Sequence, residues 1–235
     1  MSFAPRDDLR LEVARASRAL AVAGLFDHNG HLSVRDGEVC YINGRRASRI
    51  SVTPGQVAVV RVADGKTLGD VEPPSETPIH LAVYRARPEV GSVAHFHPPI
   101  ATSFAVAGRP LEVAFCAGAP FGGTIPVYDD PDLVRRDDQG AALAHALGTH
   151  RAVLLRGHGV AVCGEDAIAC LALSVMLEEN ARRIWVAAAL GGVRAFTADE
   201  VARVGKSIGE RSVQRKTWDD ALERARLAGV MADLA

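Results

Sequence analysis

The chain has 235 residues, 48% of them hydrophobic, which suits one large domain with a packed core. Its formal net charge of −1 excludes the basic surface expected of nucleic-acid-binding proteins. Four cysteines without a CxxC pair favour reduced thiols and a cytoplasmic location. The first residues do not resemble a signal peptide. The longest apolar segment, 167–190, is interrupted by charged side chains, which predicts a core helix rather than a membrane span.

Hydrophobic periodicity and turn residues predict helices and strands that interleave along the chain. In chain order they are helix 7–24, strands 31–35, 38–42 and 56–62, helix 77–87, strand 90–96, helix 99–107, strands 111–116 and 124–127, helix 133–147, strands 152–155 and 160–163, and helical segments 165–190 and 198–228. This order indicates an α/β layered domain. No GxGxxG follows the first strand, which argues against a dinucleotide fold.

Two histidines at the end of the predicted strand 90–96 are the most informative local feature. The side chains of His95 and His97 point to the same face because strand residues two apart do so. His158, between two glycines, could complete a three-nitrogen face that leaves metal coordination positions open. Spacing alone leaves open whether His158 converges on the pair, and strand histidines are often hydrogen-bonded core residues. Glu76 could bind a metal there or carry a proton.

Several motifs occur in an order that resembles the class II aldolase and adducin-head family, over about residues 10–190. They are GHLSVR at 30–35, SETPIH at 75–80, YRARPEV continuing to HFHP at 84–98, and GHG at 157–159. The resemblance implies one domain over residues 1–235, built as a three-layer α/β/α fold with a largely antiparallel central sheet. It also implies a homotetramer, or a multiple of one, with active sites at subunit interfaces.

The resemblance further implies a metal site and its chemistry. His95, His97 and His158 would bind one divalent metal per subunit, with zinc expected and manganese or cobalt as alternatives. Glu76 would be the catalytic acid and base, or a metal ligand when substrate is absent. Adducin-type members lack the metal histidines, so a non-catalytic interaction module is the lower-ranked alternative. The family also uses its C-terminal segment in a neighbour's site, although ordinary packing is expected here for Trp218.

Four departures from the sugar-phosphate aldolase pattern bear on the reaction. His31 replaces an asparagine that helps to hold phosphate, Pro74-Ser75 replaces a double serine, and Thr53-Pro54-Gly55 is a shortened loop at the same pocket. Phe121 is the nearest counterpart of the proton-donating tyrosine. These departures favour the branch of decarboxylases that act on hydroxylated aromatic or heteroaromatic carboxylic acids. An aldolase of a hydroxy-carbonyl or sugar-phosphate compound is the alternative.

Both reactions break a carbon–carbon bond and leave electrons on carbon, which a metal can stabilise as an enolate or phenolate. The substrate is expected to be a small-molecule carboxylate, and His31 is a second catalytic candidate. Asn29, Arg35 and Ser75 are candidates for substrate binding. For each of these residues a purely structural role stays open. His31 and Asn29 could be turn residues, Arg35 a surface residue of a strand, and Ser75 a helix cap. His80 has no convincing partner and is expected on a helix face or at the surface.

Overall fold

The computed structural model describes residues 6–234, which alternate between helices and strands. The helices are α1 (Asp7–Val22), α2 (Thr77–Ala86), α3 (Pro99–Val106), α4 (Asp137–Leu147), α5 (Ala167–Ala189), α6 (Ala198–Ile208) and α7 (Arg211–Leu227). The strands are β1 (His31–Asp36), β2 (Val39–Asn43), β3 (Val57–Arg61), β4 (Ser92–Phe96), β5 (Val127–Tyr128), β6 (Ala152–Leu155) and β7 (Val160–Gly164). Short 3-10 turns lie at Pro54–Gln56, Cys116–Phe121 and Ala232–Leu234.

The strands form one sheet in the order β3-β2-β1-β4-β7-β6-β5. Neighbouring strands are antiparallel except for the parallel pair of β5 and β6. In the middle of the sheet, His31 of β1 lies opposite His95 of β4, and His95 in turn lies opposite Ala161 of β7. The expected α/β fold with a largely antiparallel sheet is confirmed.

Helices cover both faces of the sheet and complete three layers. Ala94 and Phe96 of β4 belong to a core cluster that contains residues of α1, α3, α5 and α7. Val93 belongs to a second cluster, on the opposite face, with residues of α2 and α4. Because strand side chains alternate between faces, His95 shares the face of Val93. The histidine therefore points towards the layer that contains α2.

Helix α5 also fixes the segment that follows the histidine pair. The buried carboxylate of Glu178 accepts hydrogen bonds from the amides of Ile100 and Ala101, at 3.0 and 2.8 Å. These amides belong to the first turn of α3, where backbone donors have no partner within the helix. Glu178 therefore holds the start of α3 directly after His97.

Within residues 6–234, no helix combines the length and apolarity needed to cross a bilayer.

One predicted strand is absent and another is mostly absent, since only Val127 of the predicted strand 124–127 lies in β5. Residues 111–116 form no strand, because the side chain of Asn180 on α5 forms hydrogen bonds with three of their backbone groups. Asn180 accepts from the amides of Ala114 and Phe115 and donates to the carbonyl of Glu112. The predicted helical segment 198–228 is confirmed as two helices, α6 and α7, and Glu210 between them has extended backbone angles.

Candidate metal and acid–base site

His95 presents one free ring nitrogen to the site. The side chain is completely buried, and its Nδ1 lies 3.0 Å from the carbonyl oxygen of Val160. Because a carbonyl can only accept, Nδ1 carries the proton and donates it. The lone pair of Nε2 is therefore available, and this atom is buried without a hydrogen-bond partner among the described residues.

His97 is oriented by the carboxylate of Asp27, which was not among the predicted site residues. Its Nδ1 lies 3.0 Å from Oδ2 of Asp27, and the other Asp27 oxygen accepts from the amides of Asn29 and Gly30. Burial raises the pKa of Asp27, but the hydrogen bonds from His97 and from the Asn29 amide outweigh it and lower this pKa overall. A carboxylate on one ring nitrogen is the usual second partner of a metal-binding histidine. The signal in the sequence is the aspartate that opens the turn before GHLSVR.

His158 lies on the turn that joins β6 to β7. The turn is closed by hydrogen bonds from the Leu155 amide to the Gly159 carbonyl (2.8 Å) and from the His158 amide to the Leu155 carbonyl (3.1 Å). A Cβ atom on Gly159 would lie 2.6 Å from the Phe96 carbonyl oxygen and 2.7 Å from the ring of His97. Only glycine lets this turn approach the end of β4 so closely. The glycine after His158 is thus what brings the third histidine to the other two.

The three imidazoles converge. One ligand nitrogen from each of His95, His97 and His158 lies within 4.8 Å of the others. The side chain of His158 is only 7% exposed, yet both of its ring nitrogens lack a hydrogen-bond partner within residues 6–234. Buried nitrogens without partners are unfavourable unless something binds them, and three imidazoles facing one point suit a divalent cation. These residues therefore fit the metal that the sequence predicts.

Glu76 stands beside the histidines, at the residue before α2. Its two oxygens lie 3.5 Å from Nε2 of His158 and 3.7 Å from Nε2 of His95, and the amide of Val134 donates to it at 3.1 Å. Burial raises the pKa of Glu76, but its interactions with His158 and His95 lower that pKa overall. Ser75, expected as a possible cap, is exposed, and Glu76 occupies the position before the first helical residue. The Glu76 carboxylate therefore lies beside two of the three converging imidazoles.

His31 adjoins the site from β1, and its ring centroid is 5.1 Å from that of His95. Behind it lies a buried chain of side chains: His31 Nδ1 to His80 Nε2 at 2.7 Å, His80 Nδ1 to Ser33 Oγ at 2.7 Å, and Ser33 Oγ to the Tyr84 hydroxyl at 2.6 Å. The expectation of an unpartnered His80 was wrong, because this ring is fully buried and bonded on both sides. Burial lowers the pKa of His80 to about 3.

The remaining candidates are spread more widely. The Arg35 guanidinium donates to the carbonyls of Gly37 and Tyr84, at the far end of β1 from His31. Asn29 is exposed in the turn next to His31, where its side-chain amide lies 3.0 Å from a ring nitrogen of His28. The structure thus brings the three metal candidates, Glu76 and His31 together, places Asn29 beside them in the chain, and leaves Arg35 outside the cluster.

None of the three tyrosines offers its hydroxyl to the cluster within this chain. The Tyr41 hydroxyl accepts from the amide of Arg6, and the Tyr84 hydroxyl is bonded to Ser33. The Tyr128 hydroxyl lies 3.4 Å from a carboxylate oxygen of Asp130. Phe121, the expected counterpart of the aldolase tyrosine, is buried and has no proton to give.

A family comparison accounts for this arrangement. Residues 11–185 match the model of the Class II Aldolase and Adducin N-terminal domain, which is most of the chain. The chain belongs to this family. Class II aldolases depend on divalent metals, and the histidine cluster of this family member could hold one.

The relatives of this chain within the class II aldolase family include decarboxylases and an aldolase. The chain is 34% identical over 205 residues to the 3,4-dihydroxyphthalate decarboxylase of Terrabacter sp. (strain DBF63). The alignment covers 81% of this chain and 86% of the relative. The chain is 30% identical over 203 residues, 83% of this chain and 89% of the relative, to the 5-methylthioribulose-1-phosphate/5-deoxyribulose-1-phosphate aldolase of Rhodospirillum rubrum. A chain with such relatives is a lyase.

Solved structures of the family share the fold. The L-fuculose 1-phosphate aldolase from Glaciozyma antarctica PI12 superimposes with a TM-score of 0.83 at 23% identity, covering 97% of this chain and 94% of that one. At this identity the similarity establishes the architecture of the class II aldolase fold and leaves the reaction to be argued from the site.

Proposed function

We propose that the protein is a divalent-metal-dependent decarboxylase of a hydroxylated aromatic or heteroaromatic carboxylic acid. The observation that carries the proposal is the composition of the site. It contains three converging imidazoles, one carboxylate in contact with two of them, and no tyrosine hydroxyl of this chain. The similarity to 3,4-dihydroxyphthalate decarboxylases supports the same reaction.

The histidines would hold the metal through defined nitrogens. His95 and His97 each have Nδ1 engaged by a protein oxygen, so each would bind through Nε2. His158 would supply the third nitrogen. A bound divalent cation, for which imidazole ligands favour zinc with manganese or cobalt as alternatives, supplies Lewis acidity that stabilises negative charge on the substrate hydroxyl oxygen.

Glu76 would manage the proton. In decarboxylation the bond between the ring carbon and the carboxylate carbon breaks, carbon dioxide leaves, and the electron pair stays on the ring carbon until a proton is added there. The Glu76 carboxylate, held by the Val134 amide and only 10% exposed, would first take the proton of the substrate hydroxyl and then add it to the ring carbon. His31 would contact the substrate from β1. Asn29, two residues before His31, and Ser75, directly before Glu76, would line the entrance.

Phosphate-dependent aldol cleavage is the second candidate. The similarity to a sugar-phosphate aldolase over 89% of that relative favours it. The retro-aldol step as sugar-phosphate aldolases perform it needs a proton donor such as tyrosine. Within this chain all three tyrosine hydroxyls are engaged elsewhere, which is why we rank decarboxylation first.

The deciding experiment measures both products. Protein loaded with zinc, manganese or cobalt is offered a panel of ortho-hydroxy aromatic carboxylates and dicarboxylates, and carbon dioxide release is followed. In parallel, aldehyde formation from sugar phosphates is assayed. Metal-dependent carbon dioxide release is expected, and it should be lost in His158→Ala but retained in His145→Ala, which alters an exposed histidine of α4. Aldehyde without carbon dioxide would overturn the proposal in favour of the aldolase.

We also propose that the chain assembles as a homotetramer or a multiple of one. Large apolar side chains are exposed near the end of α5, where Trp185 is 59% and Leu190 84% exposed. Trp185 and Phe104 line one cleft between α5 and α3. Apolar surface of this kind typically marks a protein interface. Sedimentation equilibrium should give a tetramer mass, and Trp185→Glu should dissociate it. A wild-type monomer would contradict the proposal.

A further inference from the structure

Two overlapping sets of side chains could bind a cation, and they share His95. The first contains His95, His97 and His158, and the second contains His31, Glu76 and His95, again with ligand atoms within 4.8 Å of one another. Whether His31 can act as a ligand depends on which of its nitrogens carries the proton, because a protonated nitrogen has no lone pair to offer. The hydrogen bonds behind His31 determine this.

The chain behind His31 has a fixed beginning. Tyr84 is 1% exposed, and within residues 6–234 Ser33 Oγ is the one acceptor that its hydroxyl can donate to. If Ser33 donated to Tyr84, the tyrosine proton would be buried without an acceptor, which is an unfavourable arrangement. Tyr84 therefore donates to Ser33.

Each following bond then has only one possible direction. Ser33 is fully buried, and among the described residues its Oγ is hydrogen-bonded only to Tyr84 and His80, so its single proton would lack an acceptor unless it goes to Nδ1 of His80. His80, with Nδ1 accepting, carries its proton on Nε2 and donates to Nδ1 of His31. His31, with Nδ1 accepting, keeps its own proton on Nε2. The low pKa of His80, caused by burial, agrees with a neutral ring in which one nitrogen donates and the other accepts.

We propose that Tyr84, Ser33 and His80 are positioning residues that hold His31 as the Nε2-protonated tautomer. His31 then presents an N–H donor to the site instead of a lone pair. The second set of side chains is thereby excluded as the metal site, and the cation is left to His95, His97 and His158. Where the proposed function holds, the donor faces an anionic substrate oxygen, which a carboxylate provides, and strengthens its binding.

The tautomer can be observed without any substrate. The zinc-loaded protein, labelled with 15N in its histidines, is studied by NMR, and the His31 signals are assigned by their absence in His31→Gln. The expected result is a protonated Nε2 and an unprotonated Nδ1 for His31. Nδ1 protonated and Nε2 bare, or a His31 nitrogen shifted by zinc, would overturn the proposal.

Removing the first donor should release the constraint. In Tyr84→Phe, His31 is expected to show a mixture of both tautomers, whereas Tyr128→Phe, which removes a hydroxyl outside the chain, should leave the wild-type pattern. An unchanged single tautomer in a folded Tyr84→Phe would show that the chain does not set it. Should Tyr84→Phe not fold, the wild-type spectrum still decides the tautomer, and Ser33→Ala tests the cause.

Kinetics separate this proposal from the proposed function. Tyr84→Phe should raise KM for the carboxylate substrate in proportion to the loss of the Nε2-protonated tautomer, about 2-fold for an equal mixture, and leave kcat unchanged, because it acts on binding through His31. Zinc stoichiometry should stay at one per chain in Tyr84→Phe and in His31→Gln. If the tautomer is as proposed and no carboxylate is turned over, the proposed function fails alone. If carboxylates are turned over while His31 Nε2 is unprotonated, this proposal fails alone.

Discussion

Glu76→Gln tests the assignment of the proton-transfer group with almost no change in shape. Glutamine keeps an oxygen that can accept from the Val134 amide, as Glu76 does at 3.1 Å, so the start of α2 should stay in place. The amide cannot give or take the proton that the ring carbon needs. General acid–base groups contribute about 100- to 10,000-fold, so kcat should fall by at least about 100-fold, which corresponds to about 2.7 kcal/mol in the activation free energy.

The assay combines carbon dioxide release with metal analysis of the same preparation. Because three imidazoles would hold the cation, Glu76→Gln should keep about one metal per chain. Glu72→Gln is the matched control: its carboxylate is half exposed and pairs with Arg45 at 2.7 Å, so kcat should be unchanged. A Glu76→Gln enzyme within about 3-fold of the wild-type rate would refute the role of Glu76 in proton transfer. Loss of the metal together with activity would make Glu76 a ligand instead.

Three further predictions concern groups that support the site. Asp27→Asn removes the carboxylate behind His97 and should weaken metal binding about 10- to 100-fold by competition with a chelator; unchanged affinity would contradict that role. Burial holds the pKa of His80 near 3, so the unfolded chain takes up a proton below about pH 6.5 that the native state refuses. Stability should therefore fall by about 2 kcal/mol between pH 7.5 and 5 on account of this group, a loss that urea unfolding should show to be smaller in His80→Gln. Glu178→Gln leaves an amide facing the start of α3 and should reduce the free energy of unfolding by about 1–2 kcal/mol; no change would mean that the helix start is satisfied otherwise.

The predicted ends of helices and strands agree closely with the structure where turn residues bound these elements. Strand β6 has the predicted ends, and α2 ends within one residue of the expected position, just before Pro88. The segment 111–116 has an apolar composition typical of a strand, but its backbone groups are satisfied by a side chain 65 or more residues later in the chain. Such long-range side-chain partners leave no local pattern, so tertiary structure overrides the propensity there.

The candidate site likewise contains features that follow from local sequence and features that depend on long-range packing. The spacing of His95 and His97 predicts their common face, because strand periodicity is local. The convergence of His158 depends on how β7 pairs with β4, which spacing does not reveal. The role of His80 was missed because it sits four residues after Glu76 on a helix and gains its partners only when β1 packs beside α2.

The position of Gly159 against the end of β4 has a consequence for folding cooperativity. The three metal histidines come from a strand end and from a separate hairpin turn, so a cation bound there would cross-link β4 to the hairpin of β6 and β7. At a metal concentration about 100-fold above the dissociation constant, this link would add about 2.7 kcal/mol to the free energy of unfolding. A chelator would then lower the free energy of unfolding as well as abolish activity. Amide hydrogen exchange should accelerate first in the turn around His158, while the opposite edge of the sheet, at β3, keeps its protection.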